Sequence, residues 1–189
     1  MKLVLASTSP RRAEVLRAAG FSFETIFSTI DETPLSGEAA EPLVKRLALA
    51  KGRLAAERTP GPAMVLAADT VIELDGMILG KPRSMEDARA MLQRLSGRTH
   101  TVHTGVALIR LPGGESRVAS ESTRVTFAPL EPGTISEYLA TGEPLDKAGA
   151  YAIQGRAGRF ITRIEGCYFN VVGLPLARVC ALMRELDWK

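Results

Sequence analysis

The sequence predicts an α/β protein with a mixed sheet rather than a purely parallel one, and three observations lead there. A short apolar run, KLVLA at residues 2–6, passes directly into a helix start. An Asp75-Gly76 pair and a Pro112-Gly113-Gly114 turn each join strand-like stretches as hairpins. Helical and strand periods alternate along the chain without an internal repeat. Hairpins give antiparallel pairs and strand–helix–strand units give parallel ones, so one sheet is expected to hold both.

Residues 2–6 read as a short buried strand. Ser9 suits the N-cap of the helix that follows, Pro10 its first position and Gly20 the stop beyond its end. The next stretch, FSFETIFSTIDETPLSGE, alternates like a strand in its first half and has loop chemistry in its second. A helix is expected over 42–58, with Leu43, Leu47, Ala50 and Leu54 on its apolar face and Lys51 at the edge of that face. AMVLAA at 63–68 forms a compact strand ending at Asp69, and VIELDGMILGK continues as a hairpin with a type I′ turn. Ser84, with Asp87 three positions on, caps a helix that runs to Leu95 and is closed by Gly97. Strands over 99–109 and 117–127, a helix near 133–140, strands near 149–154 and 160–165, and a helix around 174–187 complete the reading.

At 189 residues the chain suits one domain over 1–189. With 46% apolar and 24% charged residues it has an ordinary globular balance, and no apolar run approaches the roughly 18 residues of a membrane span. MKLVLAST is too short for a secretory signal, and Cys167 and Cys180 lack a C-x-x-C spacing. A disulfide scaffold is thereby disfavoured and a cytoplasmic location expected. The net charge of +3 is spread rather than clustered, and 5% aromatic content offers little for base stacking, so no stable nucleic-acid partner is expected.

Chemistry concentrates at element ends. Asp69 is the first polar group after an apolar strand, where side chains project into a ligand crevice. Glu32, in IDETP, is either a second hard oxygen ligand for Mg²⁺ or Mn²⁺ or part of a solvated loop. Lys81, between Gly80 and Pro82, is either a point charge for phosphate or a surface lysine. His100 and His103 fall on opposite faces of one strand, which disfavours a shared metal. Cys180 is expected in the core with Leu176, Val179 and Met183. No phosphate-loop, dinucleotide or nucleophile-elbow motif is present, and Ser7 and Ser9 have no adjacent histidine base. Arg11 and Arg12 stand at the positive end of a helix, where each costs about 0.3–1 kcal/mol unless an anion binds there. Cations and carboxylates without a nucleophile suit metal-assisted hydrolysis of a phosphoanhydride.

The segments LASTSPRR, IDET, AADTVIELDGMILGKP, LSGRTHTVHTGVAL, TGEPLDKAGAYAIQG and GCYFNVVGLPL, in order across nearly the whole chain, resemble the Maf family of nucleoside triphosphate pyrophosphatases. The resemblance implies an elongated mixed α/β fold with two lobes around a central cleft, similar to the inosine triphosphate pyrophosphatases, and a homodimer. It implies that Asp69 takes the proton from water, with Glu32 beside it at a divalent metal. It further implies phosphate-site roles for Ser7, Arg12, Lys51 and Lys81, and a choice of base by Arg11, Thr70 and Gln154. SPRR with DKAGAYAIQG is similar to the branch acting on dTTP and UTP, including modified pyrimidines. The 7-methyl-GTP branch typically carries tryptophan at the position of Arg11 and glutamate at that of Gln154. Pyrophosphatase action on 7-methyl-GTP or another non-pyrimidine nucleotide, or a non-catalytic nucleic-acid-binding or cell-division regulatory role, are the alternatives. Cys167 departs from the serine or aspartate often found at its position.

Overall fold

In the computed structural model, which describes residues 1–188, strand β1 (Lys2–Ala6) leads into helix α1 (Pro10–Ala18), followed by β2 (Phe23–Thr25) and α2 (Ala40–Ala56). Strand β3 (Ala63–Leu74) turns back into β4 (Met77–Leu79), and α3 (Met85–Leu95) precedes the long hairpin of β5 (Thr99–Leu111) and β6 (Glu115–Phe127). Helix α4 (Pro132–Leu139), three short 3-10 turns, β7 (Ile161–Glu165), α5 (Tyr168–Val172) and α6 (Leu176–Glu185) finish the chain.

Seven strands form one mixed sheet in the order β2-β1-β3-β5-β6-β7, with β4 paired to β3. β1 runs parallel to β2 and β3, and every other pairing is antiparallel. Alternation decides what each face meets. Leu3, Leu5, Met64, Leu66, Val106 and Leu108 pack with Val15 and Leu16 of α1 and Val179, Leu182 and Met183 of α6. On the opposite face Val4, Ala6, Val65, Ala67 and Ile109 meet Ala55 of α2, while Leu43, Val44 and Leu47 meet Val71. A further core, where the long strands extend beyond β1, gathers Leu74, Leu92, Val125, Phe127, Tyr138 and Phe160. The two cores make two lobes joined by the continuous strands β3, β5 and β6.

Local chemistry accounts for the element boundaries. Asp75 and Gly76 both have positive φ, 52° and 75°, as a type I′ turn requires. Ser84 accepts a hydrogen bond from the Asp87 amide at 3.1 Å. Ser9 occupies the N-cap of α1 but makes no side-chain cap bond; its amide donates to Ser7 Oγ at 3.1 Å instead. Helix α2 begins at Ala40, before Pro42, and Lys51 lies inside its buried face rather than at the edge. Ala50 and Leu54 are half-buried there, because Val44, Ala48 and Gly52 approach the sheet in their place. Residues 149–154 form no strand: Gly149 and Ala150 have φ of 65° and 62°, conformations a ladder cannot hold. Helix α5 was not legible in GCYFNVVG, and α6 is shorter than 174–187. Cys180 is half-buried, not a core residue.

Candidate active site

Strand β1 stops at Ala6 while its neighbour β3 runs seven residues past that pairing's last partner, Ala67, to Leu74. Asp69 is therefore in the middle of a strand, not at its end, and sits just beyond the carboxyl end of β1. Crevices open at such places in α/β sheets. Asp69 shares a face with Val65 and Ala67, the side covered by α2, and Lys51 of that helix reaches it there. Lys51 Nζ lies 2.5 Å from Asp69 Oδ1 and 2.5 Å from Glu32 Oε1, so one ammonium bridges the two carboxylates. Both Lys51 and Asp69 are buried, at 8% and 6% exposure, where an unpaired charge would be costly. Burial alone would raise the Glu32 carboxyl, but the hydrogen bond and charge of Lys51, with Lys81 and Arg12 behind, carry it below its ordinary value.

A close approach of α2 to the sheet makes this contact possible. A Cβ on Gly105 of β5 would lie 2.1 Å from the Val44 carbonyl oxygen, so only glycine lets the helix backbone come so near. At Gly52, one residue past Lys51, the contact is looser: an added Cβ would lie 3.2 Å from the Ile109 side chain and 3.5 Å from the Ala67 Cβ.

On the other face of β3, Thr70 meets Arg12. The Arg12 guanidinium donates to the carbonyls of Gly173 and Ala68, each at 2.8 Å, to Thr70 Oγ1 at 3.0 Å and to Ser7 Oγ at 3.3 Å. Burial lowers its pKa and nearby Asp69 opposes the shift; guanidinium stays protonated throughout. Register sets Thr70 opposite Thr104 across β3 and β5, with hydroxyls 3.0 Å apart. Thr104 donates its proton to the Asn170 carbonyl at 3.1 Å, so Thr70 must donate to Thr104. The proton of Thr70 is thus committed, and toward a ligand it can only accept.

The remaining expected residues stand around the mouth. Arg11 Nη1 is 4.0 Å from Asp146 Oδ2, a pair that spans the two lobes. Lys81 is 60% exposed on the far lobe, 3.9 Å from Glu32 Oε2. Gln154 is exposed on the cleft wall, in the irregular stretch after Ala150. All nine residues named from the sequence, Ser7, Arg11, Arg12, Glu32, Lys51, Asp69, Thr70, Lys81 and Gln154, line a single cleft of about 1270 Å³. Sequence reasoning missed Asp146, Lys147 and Tyr151, which line the same cleft. Lys147 bonds the Glu143 carbonyl at 2.7 Å and Asp146 Oδ1 at 2.5 Å; the resemblance covered this segment, TGEPLDKAGAYAIQG, but singled out only Gln154 in it. His100 is buried against Tyr151, whereas His103 bonds Ser122 on the opposite face.

The described residues hold no group of three or more His, Cys, Asp or Glu side chains placed for a metal ion. Asp69 and Glu32 nevertheless converge on one cation, the Lys51 ammonium. Two carboxylates are what Mg²⁺ takes from a protein when phosphates and water supply its other ligands, so the donor set fits Mg²⁺ or Mn²⁺.

The fold defines the class first: it is that of the Ham1 proteins. The Ham1 protein of Staphylococcus aureus superposes with a TM-score of 0.55 over 99% of this chain and 100% of its own, at 17% identity. A HAM1 protein from Coxiella burnetii gives 0.52 over 98% and 99%, at 18% identity. The chain belongs to the Maf family, described as Maf-like protein, which matches residues 2–186. A relative from Symbiobacterium thermophilum, named dTTP/UTP pyrophosphatase, is 50% identical over 99% of this chain and 95% of its own. One from Myxococcus xanthus with the same name is 52% identical over the same shares.

Proposed function

We propose that this chain hydrolyses dTTP and UTP, modified forms included, to the nucleoside monophosphate and pyrophosphate. One observation carries the reading: a buried carboxylate, Asp69, faces a cleft in which Lys51, Lys81 and Arg12 supply positive charge for a triphosphate. That arrangement accompanies near-full-length identity to relatives bearing the pyrophosphatase name.

In this mechanism Asp69 takes a proton from the attacking water. Before substrate binds, Lys51 bonds its Oδ1, while Oδ2 accepts no hydrogen bond among the described residues and is available as the base. Oxygen from water joins the nucleoside phosphate, the Pα–O–Pβ bridge breaks and pyrophosphate leaves. Lys51 and Lys81 hold the phosphates, with Ser7 and the uncapped amides of α1 beside them. Arg12 sets the shape of that end of the cleft through its four bonds. Glu32 and Asp69 would hold a divalent cation, Mg²⁺ or Mn²⁺, which when bound neutralises phosphate charge. Thr70 accepts, Gln154 both donates and accepts, and Arg11 donates; together they match the edge of a uracil or thymine ring.

The same reading takes the chain as a single domain over 1–189, of which Lys189 lies outside the described residues, and as a cytoplasmic homodimer. No helix among the described residues is long and apolar enough to cross a membrane, and sedimentation checks the dimer. The decisive experiment measures pyrophosphate release across a nucleotide panel, with and without divalent metal, for wild type and Asp69→Asn. Release from dTTP and UTP only with metal, abolished by the substitution, supports the reading; a purine preference or an active variant rejects it.

A further inference from the structure

Glu32 stands on a loop with almost no core beneath it. Every residue from Asp31 to Gly37 is exposed, Leu35 among them at 61%. Polar contacts hold the segment instead. Arg46 of α2 forks onto Glu38, with Nε to Oε1 at 2.7 Å and Nη2 to Oε2 at 2.6 Å. The same Nη2 donates to the Thr33 carbonyl at 3.2 Å, one residue from Glu32. Glu38 Oε2 also accepts from the Leu35 amide at 2.9 Å, and Asp31 Oδ1 accepts from the Thr33 amide at 2.9 Å. The Arg46 hydrogen bonds and the Leu35 amide pull the Glu38 carboxyl down to about 2, so the fork is fully ionised at neutral pH.

Besides the packing of Ile30 on Leu43 and Leu47, the other polar tie between this loop and α2 is Lys51, which holds Glu32 and Asp69 together. Two of the three Lys51 N–H groups go to these carboxylates, and its ammonium occupies the point on which the two acids converge. A divalent cation between Glu32 and Asp69 has to displace it. Once Lys51 turns to phosphate, the Arg46–Glu38 fork is the polar attachment that still ties the Glu32 loop to α2.

We propose that Arg46 and Glu38 are a positioning pair that keeps Glu32 beside Asp69 for cation binding after Lys51 has turned to the substrate. This rests on the pyrophosphatase reading for the role of the cation, but its first test needs no turnover. Mn²⁺ alone is titrated into wild type, Arg46→Lys and Glu38→Gln by calorimetry; the Mg²⁺ concentration for half-maximal pyrophosphate release from dTTP is measured beside it. Arg46→Lys keeps the charge but loses the fork, Glu38→Gln keeps the shape but loses the charge, and Lys45→Ala on the same helix is the control.

Each fork variant is expected to weaken Mn²⁺ binding and raise the Mg²⁺ requirement by about 10–100-fold, with KM for dTTP moved far less. Faster hydrogen exchange at the Leu35 amide is expected in Glu38→Gln. Wild-type Mn²⁺ affinity in both variants, a fall in kcat at an unchanged metal requirement, or unfolding of both variants would overturn the proposal. Absence of Mn²⁺ binding to wild type overturns it as well. A wild type that binds Mn²⁺ but hydrolyses no nucleotide rejects the pyrophosphatase reading instead, and the Mn²⁺ comparison still decides the role of the fork.

Discussion

Arg12 and Arg11 are adjacent in sequence but unlike in what they touch. Arg12 satisfies two backbone carbonyls and two hydroxyls at the inner end of the cleft, whereas Arg11 has one distant carboxylate. Arg12→Ala orphans those acceptors and is expected to cost about 1–3 kcal/mol of stability while impairing every substrate. Arg11→Ala is expected to leave thermal stability within the range of ordinary surface changes and to shift kcat/KM ratios among dTTP, UTP, dCTP and GTP. Denaturation curves and a four-nucleotide panel separate the two; matching effects would sink the distinction. His100 supplies a second residue-scale test. Burial pushes its imidazole from 6.5 down to about 4, so the folded state keeps it neutral while the unfolded chain takes up a proton. Stability therefore falls as pH drops from about 6.5 to about 4. Urea midpoints should show that slope in wild type and a shallower one in His100→Phe, since burial lowers the His103 imidazole as well.

Helix α2 shows how much one element depends on its neighbour. Its site lysine is in place because Gly105 admits the helix backbone, and Gly105→Ala puts a methyl against the Val44 carbonyl. The helix must move outward, with an expected loss of about 1–3 kcal/mol and a larger proportional loss of activity. Activity retained at full stability loss would mean that Lys51 tolerates displacement. The sequence made the local devices legible: the Ser84 cap, the Asp75-Gly76 turn, and the periodicity that put a helix over the region of α2. Element ends and charge pointed to Asp69, Glu32, Lys81, Arg11 and Arg12, and the family resemblance added Ser7, Lys51, Thr70 and Gln154; the fold gathers all nine into one cleft. What it concealed was set by partners far away in the chain. Lys51 read as an edge residue because its two counterions lie on other elements, and Asp69 read as a strand end because nothing local shows that β1 stops first. Residues 149–154 alternate like a strand, yet two consecutive positive φ values bend them into the cleft wall. The Arg46–Glu38 fork was invisible for a different reason: its partners are only eight residues apart, but one stands on a loop whose path no local pattern sets.

At the scale of the molecule, the cleft borrows walls from both cores: Lys51 and Arg12 come from one lobe, Lys81, Asp146 and Gln154 from the other. A ligand that touches both should stabilise the whole. A non-hydrolysable dUTP analogue with an α,β-imido bridge, present with Mg²⁺ at 100 times its Kd, is expected to add about 2.7 kcal/mol. A thermal shift with the analogue but none with Mg²⁺ and free phosphate distinguishes two-lobe engagement from simple anion binding. The lobes themselves are not separate bodies on a flexible joint. Strands β3, β5 and β6 are paired from one end to the other, Ala63 with Leu111 through Glu73 with Thr101, and Arg110 with Glu115 through Thr99 with Thr126. They act as a laminated beam, and widening the cleft by swinging its halves apart would mean bending three bonded layers at once. Admission of substrate and escape of pyrophosphate must therefore fall to the unsupported edges, so turnover in this protein should respond to the stiffness of the Glu32 loop more than to any change along the beam.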